Sequence, residues 1–162
     1  MEYGGAKHRT WEAGGGERDV FLGTHFPKLD AKGRVILPAR FRDDLAEGLV
    51  LTKGQDRCLV VWPRAEFDDY AAKLRANAQA NAQVRAMTRV FFSSAFDESL
   101  DAQGRLTVAP VLREYAGLDR DLTVVGADTR LEIWSSERWE SYLAEHEGDF
   151  ADLDLEGGVA LP

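Results

Sequence analysis

Two short segments carry the most directed chemistry in this chain: Asp30-Ala31-Lys32-Gly33-Arg34 and Asp101-Ala102-Gln103-Gly104-Arg105. Glycine in the fourth position permits the positive φ of a tight connection. The aspartate can accept hydrogen bonds from turn amides or from an arginine. The arginine then leaves the turn in a defined direction beside a strand. The same residues would serve equally as a plain hairpin turn in which Arg pairs with Asp. The surroundings of the first copy are basic: residues 24–42 hold Lys28, Lys32, Arg34, Arg40 and Arg42 against Asp30 alone. The second copy, 101–113, sets only Arg105 and Arg113 against Asp101. A basic strand-and-turn surface can contact phosphates or enter a major groove, and several weak copies gain avidity in an oligomer.

Other chemistries find little support. His8 and His146 lie towards the chain ends, and no pair among His8, His25 and His146 has metal-ligand spacing. Cys58, the only cysteine, adjoins Leu59-Val60-Val61 and reads as a buried, inert thiol in a strand. One thiol cannot build an internal disulfide framework, and a cytosolic location is the default. Gly14-Gly15-Gly16 follows no strand pattern and lacks the Lys-Ser/Thr pair of a phosphate cradle. Most carboxylates fall on helix faces or in the tail, where solvent accounts for them. The expectation is a non-enzymatic protein without cofactor, metal or small-molecule substrate.

The elements that position the two turns come from an internal duplication. Leu29, Asp30, Gly33, Arg34, Phe41 and Arg42 return as Leu100, Asp101, Gly104, Arg105, Leu112 and Arg113, at an offset of 71. At an offset of 72, Gly54, Leu59, Val61, Trp62, Phe67 and Tyr70 return as Gly126, Leu131, Ile133, Trp134, Trp139 and Tyr142. Each half reads as an extended segment, the Asp-x-x-Gly-Arg turn and a second strand at Val35-Ile36-Leu37 or Leu106-Thr107-Val108. Pro38 or Pro110 then opens a short helix over 39–46 or 111–116. Two strands follow, near 49–52 and 58–62, and near 122–125 and 130–134. A closing helix places Phe67, Tyr70 and Leu74, or Trp139, Tyr142 and Leu143, on one face. Ser135 or Ser136 is the expected cap of the second such helix. Phe21, Phe26, Phe91, Phe92 and Phe96 precede the turns and read as core or interface residues rather than base-stacking platforms.

The organisation is therefore a flexible, glycine-bearing extension at 1–19, a first repeat at 20–74, a partly helical linker at 75–90, a second repeat at 91–143 and an acidic tail at 144–162, frayed beyond the last helix. The fold class is mostly β, α+β, with two pseudo-symmetric halves that need each other to bury a core. The whole chain of 162 residues carries a formal charge of −8, which taken alone argues against a polyanionic partner. Its distribution says otherwise. The tail holds Glu145, Glu147, Asp149, Asp152, Asp154 and Glu156 with no Lys or Arg, while residues 20–143 hold 17 bases and 18 acids. No run approaches the roughly 18 apolar residues of a membrane span, and no secretory leader is visible at the N-terminus.

These residues resemble the MraZ family of bacterial transcriptional regulators, built from tandem AbrB/MazE-like domains. The matching segments are Phe21-Leu22-Gly23, Leu29-Asp30-x-Lys32-Gly33-Arg34, Pro38-Ala39-x-Phe41-Arg42, Asp101-x-x-Gly104-Arg105-Leu106, Ala109-Pro110-x-Leu112-Arg113, Leu118, Val125-Gly126, Leu131-Glu132-Ile133-Trp134 and Trp139, spanning about 20–145. The resemblance implies a double-split β-barrel and assembly into an octameric or dodecameric ring. It implies binding to short direct repeats in double-stranded DNA upstream of the division and cell-wall gene cluster, with a mostly repressive role in the cytoplasm and nucleoid. The family's Asp-x-x-x-Arg DNA-binding motif falls on Asp30/Arg34 and Asp101/Arg105. Arg34, with Lys32 or Lys28 nearby, would make the main DNA contacts. Arg105 would be secondary, because Gln103 stands where Lys32 stands in the first copy. Family members start near Phe21, so 1–19 reads as an extension, with Val20 where an initiator would stand. The alternative is an antitoxin-like or structural module whose turns contact protein.

Overall fold

The structure, a computed structural model, describes residues 9–11 and 17–153, with side chains from Val20 to Leu153. The elements, in order, are β1 (Arg9–Trp11), β2 (Glu17–Asp19), β3 (Thr24–His25), β4 (Arg34–Ile36), α1 (Ala39–Arg42), β5 (Leu49–Lys53), β6 (Leu59–Pro63), α2 (Arg64–Asn77), α3 (Ala82–Ser93), β7 (Phe96–Glu98), β8 (Arg105–Thr107), α4 (Pro110–Ala116), β9 (Leu122–Gly126), β10 (Leu131–Ser135) and α5 (Ser136–Asp152). It is an α+β fold dominated by antiparallel sheet, with short helices.

The two repeats are laced through one another. An open sheet of six strands runs β3-β9-β10-β6-β5-β7. Each edge strand belongs to one repeat, and its neighbour to the other: β3 lies on β9, and β7 on β5. The centre is the pair β6–β10, with Val60 opposite Glu132, residues 72 apart. A separate two-stranded ribbon pairs β4 with β8, with Val35 opposite Leu106, residues 71 apart. Both pairings are therefore centred on the same pseudo-twofold axis that the duplication predicts. The sheet does not close on itself, and it presents two covered faces.

Period-two alternation sorts the side chains. Leu49, Leu51, Leu59, Val61, Leu122, Val124, Leu131 and Ile133 point to one face, where they join Val35, Leu37, Leu106 and Val108 from the ribbon in the main core. Val50, Val60, Trp62 and Trp134 point to the other face, packed against Phe67, Phe91, Trp139 and Tyr142 from α2, α3 and α5. Burial on both faces explains why Leu49-Val50-Leu51 and Leu59-Val60-Val61-Trp62 read as continuous apolar runs. Buried Thr52 accepts a hydrogen bond from Trp62 Nε1 (2.9 Å), so neither polar group is stranded in the core.

Local details depart from the expectations above. Arg9–Trp11 pairs antiparallel with Glu17–Asp19 inside the segment expected to be flexible; glycines 14–16 lie between these strands in sequence, outside the described residues. The linker is more helical than expected. α2 runs on to Asn77, and α3 begins behind Asn81, whose side chain accepts from the Val84 amide (2.9 Å). The last helix extends through much of the acidic tail, to Asp152. Trp139 and Tyr142 anchor its early turns on Trp134, with ring centroids 5.3 and 4.9 Å away, and adding turns to an anchored helix costs little. Ser135 occupies the cap position of α5 but makes no capping hydrogen bond. Ser136 instead shares a hydrogen bond with the Thr123 hydroxyl (2.9 Å).

Because one core serves both repeats, unfolding is expected as a single cooperative transition in urea. Leu106→Ala, at a fully buried position, should lower the unfolding free energy by about 2–5 kcal/mol. Val35→Ala, its mirror across the axis, should act in the same direction and by less, since fewer buried atoms are lost.

Candidate functional site

The two Asp-x-x-Gly-Arg turns fold alike. The carboxylate of Asp30 accepts from the amides of Lys32 and Arg34 through Oδ1 (both 2.9 Å) and from Arg34 Nε through Oδ2 (2.8 Å). Asp101 accepts from the amides of Gln103 and Arg105 (both 2.9 Å) and from Arg105 Nε (2.6 Å). The main chain closes each turn: the Asp30 amide donates to the Arg34 carbonyl and the Gly33 amide to the Asp30 carbonyl, at 2.8 and 3.0 Å. The counterparts at 101–105 measure 3.0 and 2.9 Å. Gly33 and Gly104 both adopt φ +76°, a conformation that any Cβ would strain.

The carboxylates hold their charge tightly. Hydrogen bonds from the Arg34 amide, and from the Arg34 and Lys32 donors around it, place Asp30 below the ordinary aspartate pKa. The Arg105 amide and then its side chain do the same for Asp101. Each aspartate therefore fixes the turn and aims its arginine at once. Arg34 and Arg105 retain 24% and 27% of their side-chain exposure, enough to meet a ligand from a defined direction.

Pairing β4 with β8 brings the two turns into one surface. In this ribbon Arg34 lies opposite Thr107, and Ile36 opposite Arg105. Val35 and Leu106 point into the core with no exposure. Arg34, Ile36, Arg105 and Thr107 consequently share the outward side, and the two arginines are diagonal neighbours, about 7 Å apart at Cβ by ordinary sheet geometry. The turns cap opposite ends of the ribbon. The Val108 amide donates to the Gly33 carbonyl (2.8 Å), and the Leu37 amide to the Gly104 carbonyl (3.3 Å).

Of the sequence-derived site residues, Asp30, Arg34, Asp101 and Arg105 come together in this ribbon. Lys32 stands exposed on the first turn, and Gln103 matches it on the second. Lys28 precedes the turn and forms an exposed ion pair with Asp121. The basic count over 24–42 is also partly consumed by the fold. Arg40 donates to the Leu22 carbonyl and lies 2.8 Å from His25 Nε2, and Arg42 is folded against Gly104. Burial, and then the charge of Arg40, lowers the His25 pKa. His25 thus accepts from Arg40 as a neutral ring, and its contribution to stability is complete above the ordinary histidine pKa and declines as pH falls towards the folded value. Among the aromatics, Phe21 is buried against Phe41 (5.3 Å), while Phe26 is 71% exposed.

Arg42 and Arg113 were assigned no function by sequence reasoning. Their spacing of 71, the same as that of Gly33 and Gly104, marks them as a duplicated pair but does not say what either touches. Elsewhere, burial pushes the Cys58 thiol up to about 12, which removes the thiolate from physiological chemistry. Among the described residues, no three His, Cys, Asp or Glu side chains cluster in a metal-binding arrangement, and no helix is long and apolar enough to cross a membrane.

Comparison with known proteins supplies a separate line of information. One family model, described as "MraZ protein, putative antitoxin-like", matches twice in succession, over residues 20–90 and 91–156. A protein of Salinispora tropica named transcriptional regulator MraZ is 60% identical over 135 residues, covering 83% of this chain and 95% of its own. Proteins of the same name from Micrococcus luteus and Thermobifida fusca are each 55% identical, covering 83% of this chain and 94% of theirs.

The depressed aspartate pKa values carry a direct test. A carboxylate whose folded pKa lies below its unfolded one stabilises the fold above the unfolded value, near 3.8, and loses that contribution as pH falls through the folded value. In a carbon-detected NMR titration, Asp30 and Asp101 should protonate at lower pH than an unpaired aspartate. The Arg34 and Arg105 amide shifts should move with those same midpoints. Ordinary midpoints at both carboxylates would contradict the hydrogen-bonded turn.

Proposed function

The chain belongs to the MraZ family, and from that premise we propose that it is a sequence-specific DNA-binding transcriptional regulator that reads duplex DNA with the β4–β8 ribbon. The observation that carries this reading is the outward pair of arginines, each clasped by its own aspartate, on a ribbon joined across a pseudo-twofold axis. A major groove about 12 Å wide admits a two-stranded ribbon, and Arg bidentate to guanine is the commonest specific contact. Asp30 and Asp101 aim the arginines; Lys32 adds charge on the first turn, and Lys28 stands at its approach. Gln103 leaves the second turn with Arg105 as its cation. Relatives matching most of the chain bear the name of a transcriptional regulator, which supports this reading over an antitoxin-like or structural module whose turns contact protein.

The fold class is the double-split β-barrel of the AbrB/MazE type, and the protein assembles into an octameric or dodecameric ring. One ribbon makes too few contacts for tight binding. Neighbouring subunits on short direct repeats convert later contacts into intramolecular ones and raise the overall affinity. The repeats lie upstream of the division and cell-wall gene cluster, and occupancy represses transcription in the cytoplasm and nucleoid. No step requires a cofactor, a metal or bond-making chemistry.

Arg34→Ala should abolish retardation of a tandem-repeat duplex in a gel-shift assay while leaving the light-scattering mass unchanged. Each lost guanine contact is worth about 1–3 kcal/mol, and the loss recurs in every subunit. Binding by the unaltered protein should fall steeply with salt. Undiminished sequence-selective retention by the variant would overturn the assignment.

A further inference from the structure

The two repeats exchange arginines across the pseudo-twofold axis. Arg113, from α4 of the second repeat, lies over Gly33 in the first turn. A Cβ added to Gly33 would meet Arg113 Cζ at 2.9 Å, and its Nε and Nη1 at 3.1 Å. Arg42, at the end of α1 in the first repeat, lies over Gly104 in the second turn, and a Cβ there would collide with its Nε and Cζ. Both glycines are buried, although each belongs to a surface turn. What buries them includes the guanidinium of the opposite repeat.

The inner ends of these arginines face the protein. Arg42 Nε donates to the Leu37 carbonyl (3.3 Å), and Leu37 in turn donates its amide to Gly104. Arg42, Leu37 and Gly104 thus close a small circuit between the repeats. Arg113 Nε is buried with no hydrogen-bond partner. An unsatisfied buried donor is costly, and the position this guanidinium occupies is the one a Gly33 Cβ would point to. A flat guanidinium can lie on a peptide plane; the tetrahedral ammonium of lysine cannot.

We infer that Arg42 and Arg113 are positioning residues for the ribbon, each holding the opposite repeat's turn and so setting the direction of Arg105 or Arg34. This inference rests on the DNA-binding reading for its consequence, but its geometry does not. The coupling is crossed: Arg42 governs the turn that carries Arg105, and Arg113 governs the turn that carries Arg34. Beyond straining the positive φ, a Cβ at Gly33 or Gly104 would displace the partner repeat's guanidinium from its place over the turn.

The test has two arms on the full-length protein. In amide hydrogen exchange without DNA, Arg42→Ala should speed exchange at Gly104 and Arg105 by roughly tenfold or more and leave Gly33 and Arg34 unchanged. Arg113→Ala should do the reverse, and the milder Arg42→Lys and Arg113→Lys should show the same crossed pattern. Uniform acceleration in the lysine variants, or acceleration confined to the variant's own repeat, would overturn the clamp. In gel shifts on a tandem-repeat duplex, Arg42→Ala should be non-additive with Arg105→Ala. The slope of affinity against salt should be unchanged by Arg42→Lys or Arg113→Lys while affinity falls. Full affinity in both lysine variants, or a slope reduced by about one in the alanine variants, would make these arginines phosphate contacts and overturn the positioning role. A crossed exchange pattern in a protein that shows no selective DNA retention would sink the DNA reading and leave the clamp standing.

Discussion

The antiparallel pairing of β4 with β8 is the constraint from which the rest of the molecule follows. It is short, three residues on each side, yet it places Val35 against Leu106 at the centre of a core shared by both repeats. That register turns Arg34 and Arg105 outward together. A slip of one residue by either strand would reverse that strand's side chains, sending its arginine inward and its aliphatic residue into water. Burying an unpaired guanidinium is far more costly than any gain the slipped ribbon could offer. The hydrophobic core and the charged surface therefore specify the same register from opposite sides.

The symmetry of the backbone is not matched by symmetry of charge. Both turns use the same aspartate geometry, the same glycine φ and the same covering arginine. The first adds Lys32, while the second carries Gln103 at the equivalent position. Duplication has thus preserved the groups that shape the turn and let the peripheral cation diverge. Arg40 and Arg42 show the converse point. Both contribute to the basic appearance of residues 24–42, but one is occupied with the Leu22 carbonyl and His25, and the other with Gly104. Formal charge in a segment overstates the charge that a ligand meets.

Much of the local structure was legible in the sequence. Apolar alternation and turn residues located the strands, the proline-led short helices and the first part of each closing helix, and the duplicated motif located the candidate site. What could not be read was the choice of partner. Leu49 and Leu51 demand a neighbour on their inner face, but nothing in their pattern says that β5 should pair with β7 of the other repeat rather than with β3 of its own. The partner of Arg42 was hidden for the same reason: an arginine near the end of a short helix looks solvent-exposed unless the opposite repeat is already in place. The length of α5 was missed because its carboxylates read as a solvated tail, whereas Trp139 and Tyr142 dock its start and let the helix propagate.

The central sheet also acts as a partition. The ribbon packs on the face that holds Val61 and Ile133, while α5 packs on the face that holds Trp62 and Trp134. From Ser136 to Asp152 that helix carries six carboxylates and a single arginine. The helices α2 and α3 on that same face carry Arg64, Lys73, Arg75, Arg85 and Arg89, so its acidity is concentrated in α5, across the sheet from the ribbon's two arginines. In the field of a polyanion such a body experiences a torque before it makes any contact. Repulsion of a phosphate chain by α5 gives the sense of rotation that the proposed ribbon-first docking requires.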